Sequence, residues 1–275
     1  MAKKLLICDL DGTLLDTVEE LSLPYSDKLN ALLDEGIDFT IATGRDFENT
    51  KQALHNTRIQ NPVILTNGAI LAEYPSGDVL EYHTLPSETI SKILDLSAQF
   101  GLETMVFASY DKKNNYPRFI KGRWVDVHNI RRLKLTDFED YLTEPVISIQ
   151  FMNDKKSLDT MYSATKNNPS IANNAYILFF EHAYIPGMYW LEYNPENASK
   201  EVMLASLIKR KGYTPSDIVV FGDNFNDMGM FQLAGTAVVV DNASEEIKKY
   251  ADYIVPSNMD GGVLIFIEEH LKDFI

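Results

Sequence analysis

Continuous apolar runs of strand length alternate with stretches of helical period over residues 1–84. Leu5-Leu6-Ile7-Cys8 is the first run, 37–42 the second and 62–66 the third. Between the first two, Leu29, Leu32 and Leu33 fall on one face of a helix predicted over 26–35, with Gly36 at its exit. A second helix is predicted over 46–55. Segments 69–74 and 79–82, joined through Pro75-Ser76-Gly77-Asp78, read as a hairpin. Strands apolar throughout and separated by helices predict a parallel sheet covered on both faces.

The pattern changes after His83. A helix over 87–100 precedes strands at 102–109, 145–152, 175–182 and 188–193, with another helix at 155–167. This order suggests a separate α+β unit. Alternation then resumes, with helices at 199–211, 226–234, 244–250 and from Gly261, and strands at 218–221, 236–240 and 253–255. The expected organisation is a doubly wound, Rossmann-like α/β core made from 1–84 and 190–275, interrupted by an α+β domain over 85–189. No internal repeat or low-complexity segment interrupts it.

Composition narrows the partners. With 40 acidic against 25 basic residues the chain carries a formal charge of −15, which repels nucleic-acid backbones and anionic membranes. No apolar run approaches the roughly 18 to 20 residues of a membrane span. Lys3-Lys4 and the apolar run after it are cut short by Asp9, so no signal sequence is expected. Cys8 is the only cysteine, which excludes an internal disulfide and points to a reducing, cytoplasmic location.

Candidate chemistry lies where three of the strands stop. The first runs into Asp9-Leu10-Asp11-Gly12-Thr13, the second into Thr43-Gly44-Arg45 and a later one into Gly222-Asp223-Asn224-Phe225-Asn226-Asp227. Open α/β sheets bind ligands beyond the carboxyl ends of their strands. Two anionic turns brought together there repel one another unless a cation lies between them. Hard oxygen ligands suit Mg²⁺. A calcium loop is a poorer fit, because glycine is the fourth residue counted from Asp9 as the first, rather than the sixth.

Each residue also has an ordinary reading. Asp-Gly is a common turn, and Thr43 could cap a helix. Lys200 could be a solvated lysine, although a cation is disfavoured at a helix start. Arg45 fits a structural ion pair better than a substrate contact. Asn67 could face the site or serve only its Asn-Gly turn. Alternation turns Cys8 away from Asp9 as a small buried residue.

Asp9-x-Asp11-Gly12-Thr13, Thr43-Gly44-Arg45, Lys200 and Gly222-Asp223-x-x-Asn226-Asp227, in this order, closely resemble the motifs of haloacid dehalogenase (HAD) superfamily phosphatases of the Cof type. The position and length of the insertion resemble their subclass IIB α+β cap, and Asn258-Met259-Asp260-Gly261-Gly262-Val263 resembles their tail segment. The resemblance implies a nucleophile at Asp9, an acid–base residue at Asp11, and Mg²⁺ held by Asp9, the Asp11 carbonyl and Asp223. It also implies phosphate binding by Thr43, Gly44, Lys200 and Asn226, the glycine and threonine acting at a helix start, with Asp227 as a partner of the metal or the lysine.

The expected activity is Mg²⁺-dependent hydrolysis of small phosphorylated metabolites, above all sugar phosphates, through an aspartyl phosphate, with the cap closing over the site. A sugar phosphomutase and a non-catalytic sugar-phosphate sensor are the alternatives. A monomer or weak homodimer is expected. Within the insertion, 112–134 carries eight basic residues against Asp126 alone. That run reads either as a solvated face or as a contact for a second anionic group or the sugar of the substrate.

Overall fold

The structure is a computed structural model that describes residues 3–17, 19–102, 145–182 and 185–275, with the backbone of five short strands between 103 and 144. The basic run at 112–134 lies outside the described side chains. Two compact units are present, Met1–Glu81 with Ser199–Ile275, and Tyr82–Ala198.

The chain begins with β1 (Leu5–Cys8), α1 (Leu23–Asp34), β2 (Asp38–Ile41), α2 (Phe47–Ala53), β3 (Val63–Leu65), β4 (Ile70–Ala72) and β5 (Val79–Tyr82). The intervening unit holds α3 (Ser87–Gln99), β6 (Met105–Phe107), β7 (Tyr110–Asp111), β8 (Tyr116–Pro117), β9 (Arg123–Val127), β10 (Ile130–Lys134), β11 (Ser148–Asp154), α4 (Lys155–Lys166), α5 (Pro169–Ala172), β12 (Ala175–Glu181) and β13 (Met188–Pro195). The chain then returns through α6 (Lys200–Lys211), β14 (Ile218–Gly222), α7 (Met228–Leu233), β15 (Thr236–Val240), α8 (Glu245–Lys248), β16 (Tyr253–Val255), α9 (Gly262–Glu269) and α10 (Leu271–Phe274).

The central sheet has the order β16-β15-β14-β1-β2, and every pairing in it is parallel. Its strands are apolar along their length because helices flank the sheet: Leu5, Ile7, Val220 and Val239 pack with Leu204 and Met230 in one buried cluster. Register sets the site. Cys8 lies opposite Phe221, so the two strands end side by side and their acidic turns emerge together.

Several expectations change in detail. α1 starts at Leu23 rather than at 26, because Pro24 fits the first helical turn, where its missing N–H is no loss. β3 meets the sheet through a single parallel bridge, Ala42 to Ile64, and then pairs antiparallel with β4. Thr66 and Asn67, at φ of 50° and 52°, turn the chain back between them. A 3-10 turn at Phe225–Asp227 precedes α7, so the helix expected from 226 begins at Met228.

The inserted unit has its own antiparallel sheet, ordered β12-β13-β11-β6, and its own core. Leu158 and Met161 of α4 and Ile90 and Ile93 of α3 pack with Ile149, Phe151 and Leu191 of the sheet. β13 runs through the boundary expected at 189/190 and pairs along its length with β12, so the second unit continues to Ala198.

Candidate active site

Asp9 follows β1, and its N–H donates to the Phe221 carbonyl at 3.0 Å, which holds the residue at the seam between β1 and β14. The chain then makes a wide turn over Leu10–Leu14 that the Leu15 N–H closes on the Leu10 carbonyl. Gly12 permits this turn. Its φ is +81°, and a Cβ there would lie 2.7 Å from Asp223 Oδ2. The close approach lets the Thr13 hydroxyl donate to Asp223 Oδ1 at 2.8 Å. Two amides hold the outside of the turn, Asn242 donating to the Gly12 carbonyl at 2.8 Å and Asn258 to the Leu15 carbonyl at 2.7 Å.

Lys200 opens α6, with Ser199 capping the helix by accepting from the Val202 N–H. Its side chain is fully buried, and Nζ donates to Asp9 Oδ1 at 2.5 Å and to Asp227 Oδ1 at 2.7 Å. The other oxygen of Asp227 accepts from the N–H groups of Asp223 and Asn224, at 3.2 and 3.1 Å. Asp227 therefore both caps its turn and faces the lysine.

Asp9, Asp223 and Asp227 bring carboxylate oxygens within 4.8 Å of one another. Burial works against the Lys200 ammonium, yet Asp227 and Asp9 outweigh it and push its pKa up, so the group is a fixed cation. Burial, with help from the negative charges of Asp227, Asp223 and Asp11, raises Asp9 despite the lysine. Asp223 is pushed up to about 7, first by burial and then by Asp227. Three carboxylates against one ammonium leave two negative charges if all are ionised (3 − 1 = 2). Among the described residues Asp223 hydrogen-bonds to Thr13 and to no cation. An all-oxygen donor set with that excess fits a hard divalent ion such as Mg²⁺.

Asp11 stands apart from this group and makes a two-pronged ion pair with Arg45. The structural-ion-pair reading of Arg45 thus describes what it does, but its partner is a candidate acid–base residue. Thr43 is buried; its N–H donates to the Ile64 carbonyl, and its hydroxyl oxygen accepts from the Arg45 N–H at 3.1 Å, leaving the hydroxyl proton to donate. Thr43 and Gly44 do not form a helix start. α2 begins at Phe47, and the Asp46 side chain already accepts from the Asn49 N–H there, so these two residues offer a loop amide and a hydroxyl.

Asn226 donates to Asn67 Oδ1 at 3.1 Å, and a Cβ on Gly44 would lie 3.2 Å from the same oxygen. Asn67 therefore joins Asn226 to the Thr43 loop as well as making its turn. Cys8 is buried, and burial pushes its thiol up. Sequence reasoning gives no role to Asn242 and includes Thr13 only as part of the motif. Nothing local marks Asn242, whose partner is 230 residues away.

The sequence profile of the haloacid dehalogenase-like hydrolases matches residues 6–267. The chain belongs to this family. Among HAD-like relatives, the 5-amino-6-(5-phospho-D-ribitylamino)uracil phosphatase YitU of Bacillus subtilis is 24% identical over 278 residues, covering 98% of this chain and 97% of YitU. A haloacid dehalogenase-like hydrolase from Bacteroides thetaiotaomicron shares the fold, with a TM-score of 0.76 at 23% identity over 97% of this chain and 99% of that one. A sugar phosphatase of HAD subclass IIB superposes with a TM-score of 0.71 at 19% identity, over 99% of this chain and 100% of that one.

Proposed function

We propose that this HAD-like hydrolase is a phosphatase that transfers the phosphoryl group of a small phosphorylated metabolite to Asp9 and then to water. The observation that carries this reading is the buried Lys200 shared by Asp9 and Asp227, with Asp223 in the same group. The carboxylates of Asp9 and Asp223 and the Asp11 carbonyl would hold Mg²⁺, which would supply positive charge that favours ionised Asp9 and balances the phosphoryl group.

The chain's own groups divide the remaining work. The Asp9 carboxylate attacks phosphorus, forming an acyl phosphate as the ester oxygen leaves, which splits one difficult hydrolysis into two steps. Asp11 gives a proton to that oxygen and later takes one from the attacking water. Lys200 holds one oxygen of Asp9 and stays charged throughout, so no reorganisation is needed as negative charge moves. The Thr43 hydroxyl, the Gly44 N–H and the Asn226 amide receive phosphate oxygens, held in one loop cluster by Asn67.

The relatives favour hydrolysis over transfer between sugar hydroxyls, since YitU and the subclass IIB protein are both named as phosphatases. Their substrates, a phosphoribityl compound and sugar phosphates, support the same class here. Asp9→Asn should abolish phosphate release from a panel of sugar and ribityl phosphates with Mg²⁺ present, and should prevent acid-stable trapping of ³²P on the protein. Turnover retained in that variant rules out the covalent route.

A further inference from the structure

Four acids stand at the two strand ends, and three of them make one close group while Asp11 faces Arg45. Arg45 Nε donates to Asp11 Oδ2 at 2.8 Å and Nη2 to Oδ1 at 2.7 Å, a planar fork that fixes both oxygens. The third nitrogen, Nη1, donates to the Glu19 carbonyl at 3.1 Å and so ties Asp11 to the far end of the same loop. The arginine backbone is itself fixed, its N–H donating to Thr43 Oγ1 and its carbonyl accepting from the Thr66 N–H at 3.0 Å.

An ionised carboxylate offers about four acceptor positions, so a fork that uses one on each oxygen leaves room for a proton exchanged with substrate. The Asp11 side chain is 37% exposed, and without the fork it would sample several rotamers in solvent. We propose that Arg45 is a positioning residue that sets the plane of the Asp11 carboxylate for proton transfer to the leaving oxygen, a role that rests on the acid–base assignment above. A point charge does not replace it, because an ammonium cannot grip two oxygens in one plane.

The test compares Arg45→Ala, Arg45→Lys, Asp11→Asn and the unaltered enzyme on p-nitrophenyl phosphate and phenyl phosphate at saturating Mg²⁺. Nitrophenolate leaves without a proton, whereas phenolate gains from one. The ratio kcat/KM counts only steps through departure of the phenol, so the later attack of water drops out. Arg45→Ala should lose about tenfold or more on phenyl phosphate and less than about threefold on p-nitrophenyl phosphate, and Arg45→Lys should resemble it.

Equal losses on both esters, or full recovery in Arg45→Lys, would overturn the proposal. Thermal unfolding of each variant checks the fold, and Arg45→Gln replaces Arg45→Ala should that variant not fold. If Asp11→Asn shows no dependence on the leaving group, the acid role of Asp11 falls and the role of Arg45 with it. If Asp11→Asn shows the dependence and the arginine variants do not, only the role of Arg45 falls.

Discussion

Removing the ammonium of Lys200 would leave Asp9 and Asp227, both buried, without the counter-charge that now sits 2.5 and 2.7 Å away. Losing one partner of a buried ion pair costs about 3–5 kcal/mol, because the remaining charge is uncompensated. Lys200→Met should therefore lower the unfolding free energy by about that amount in urea titrations at pH 7.5 and abolish turnover. The loss should shrink at pH 5, where the Asp9 carboxyl, already raised by burial, can take up a proton instead; an equal loss at both values would contradict it. This residue was partly legible in the sequence, where a lysine at a helix start is electrostatically misplaced unless an anion faces it. Thr13 was less legible, since the hydroxyl that fixes Asp223 acts across 210 residues.

The position of α6 depends on a single absent side chain. Gly68 lies at φ +95°, and a Cβ there would come within 2.1 Å of the Ser199 carbonyl oxygen, next to Lys200. Gly36 has a similar φ of +99°, but a Cβ there would meet nothing within 4 Å, so it isolates the cost of backbone strain. Gly36→Ala should destabilise by roughly 1 kcal/mol and leave kcat unchanged. Gly68→Ala should destabilise further and also depress kcat, because the helix start must move; thermal melts and phosphate release measured together separate the two. Elements with a strong period were readable, such as β15 at Thr236–Val240. Those set by backbone turns were not: Asn-Gly marked a turn at 67–68, but not that it sends β4 antiparallel to β3 and lays Gly68 against α6. The strands of 110–134 carried no alternation strong enough to read.

At the scale of the molecule, one group of acids links stability to pH and to metal. Asp223 is raised from 3.8 to about 7 by burial and then by Asp227, so the folded protein holds a proton there that the unfolded chain has released. Its contribution to stability is complete below about pH 4 and is lost as pH rises through 7. Without metal the fold is therefore strained by its own charge at neutral pH, and a cation bound to the ionised form relieves this. The rise in melting temperature on adding Mg²⁺ to EDTA-stripped protein should grow from pH 5 to pH 8 and should largely vanish in Asp223→Asn. A flat response across that range would remove the link. The charges also meet late: 191 residues separate Asp9 from Lys200, and β1 sits between β2, which follows it closely, and β14, which comes after the inserted unit. A growing polypeptide thus carries Asp9, the nucleophile proposed above, for most of its synthesis with one flank of its strand bare, and becomes an enzyme only when its last third has emerged from the ribosome.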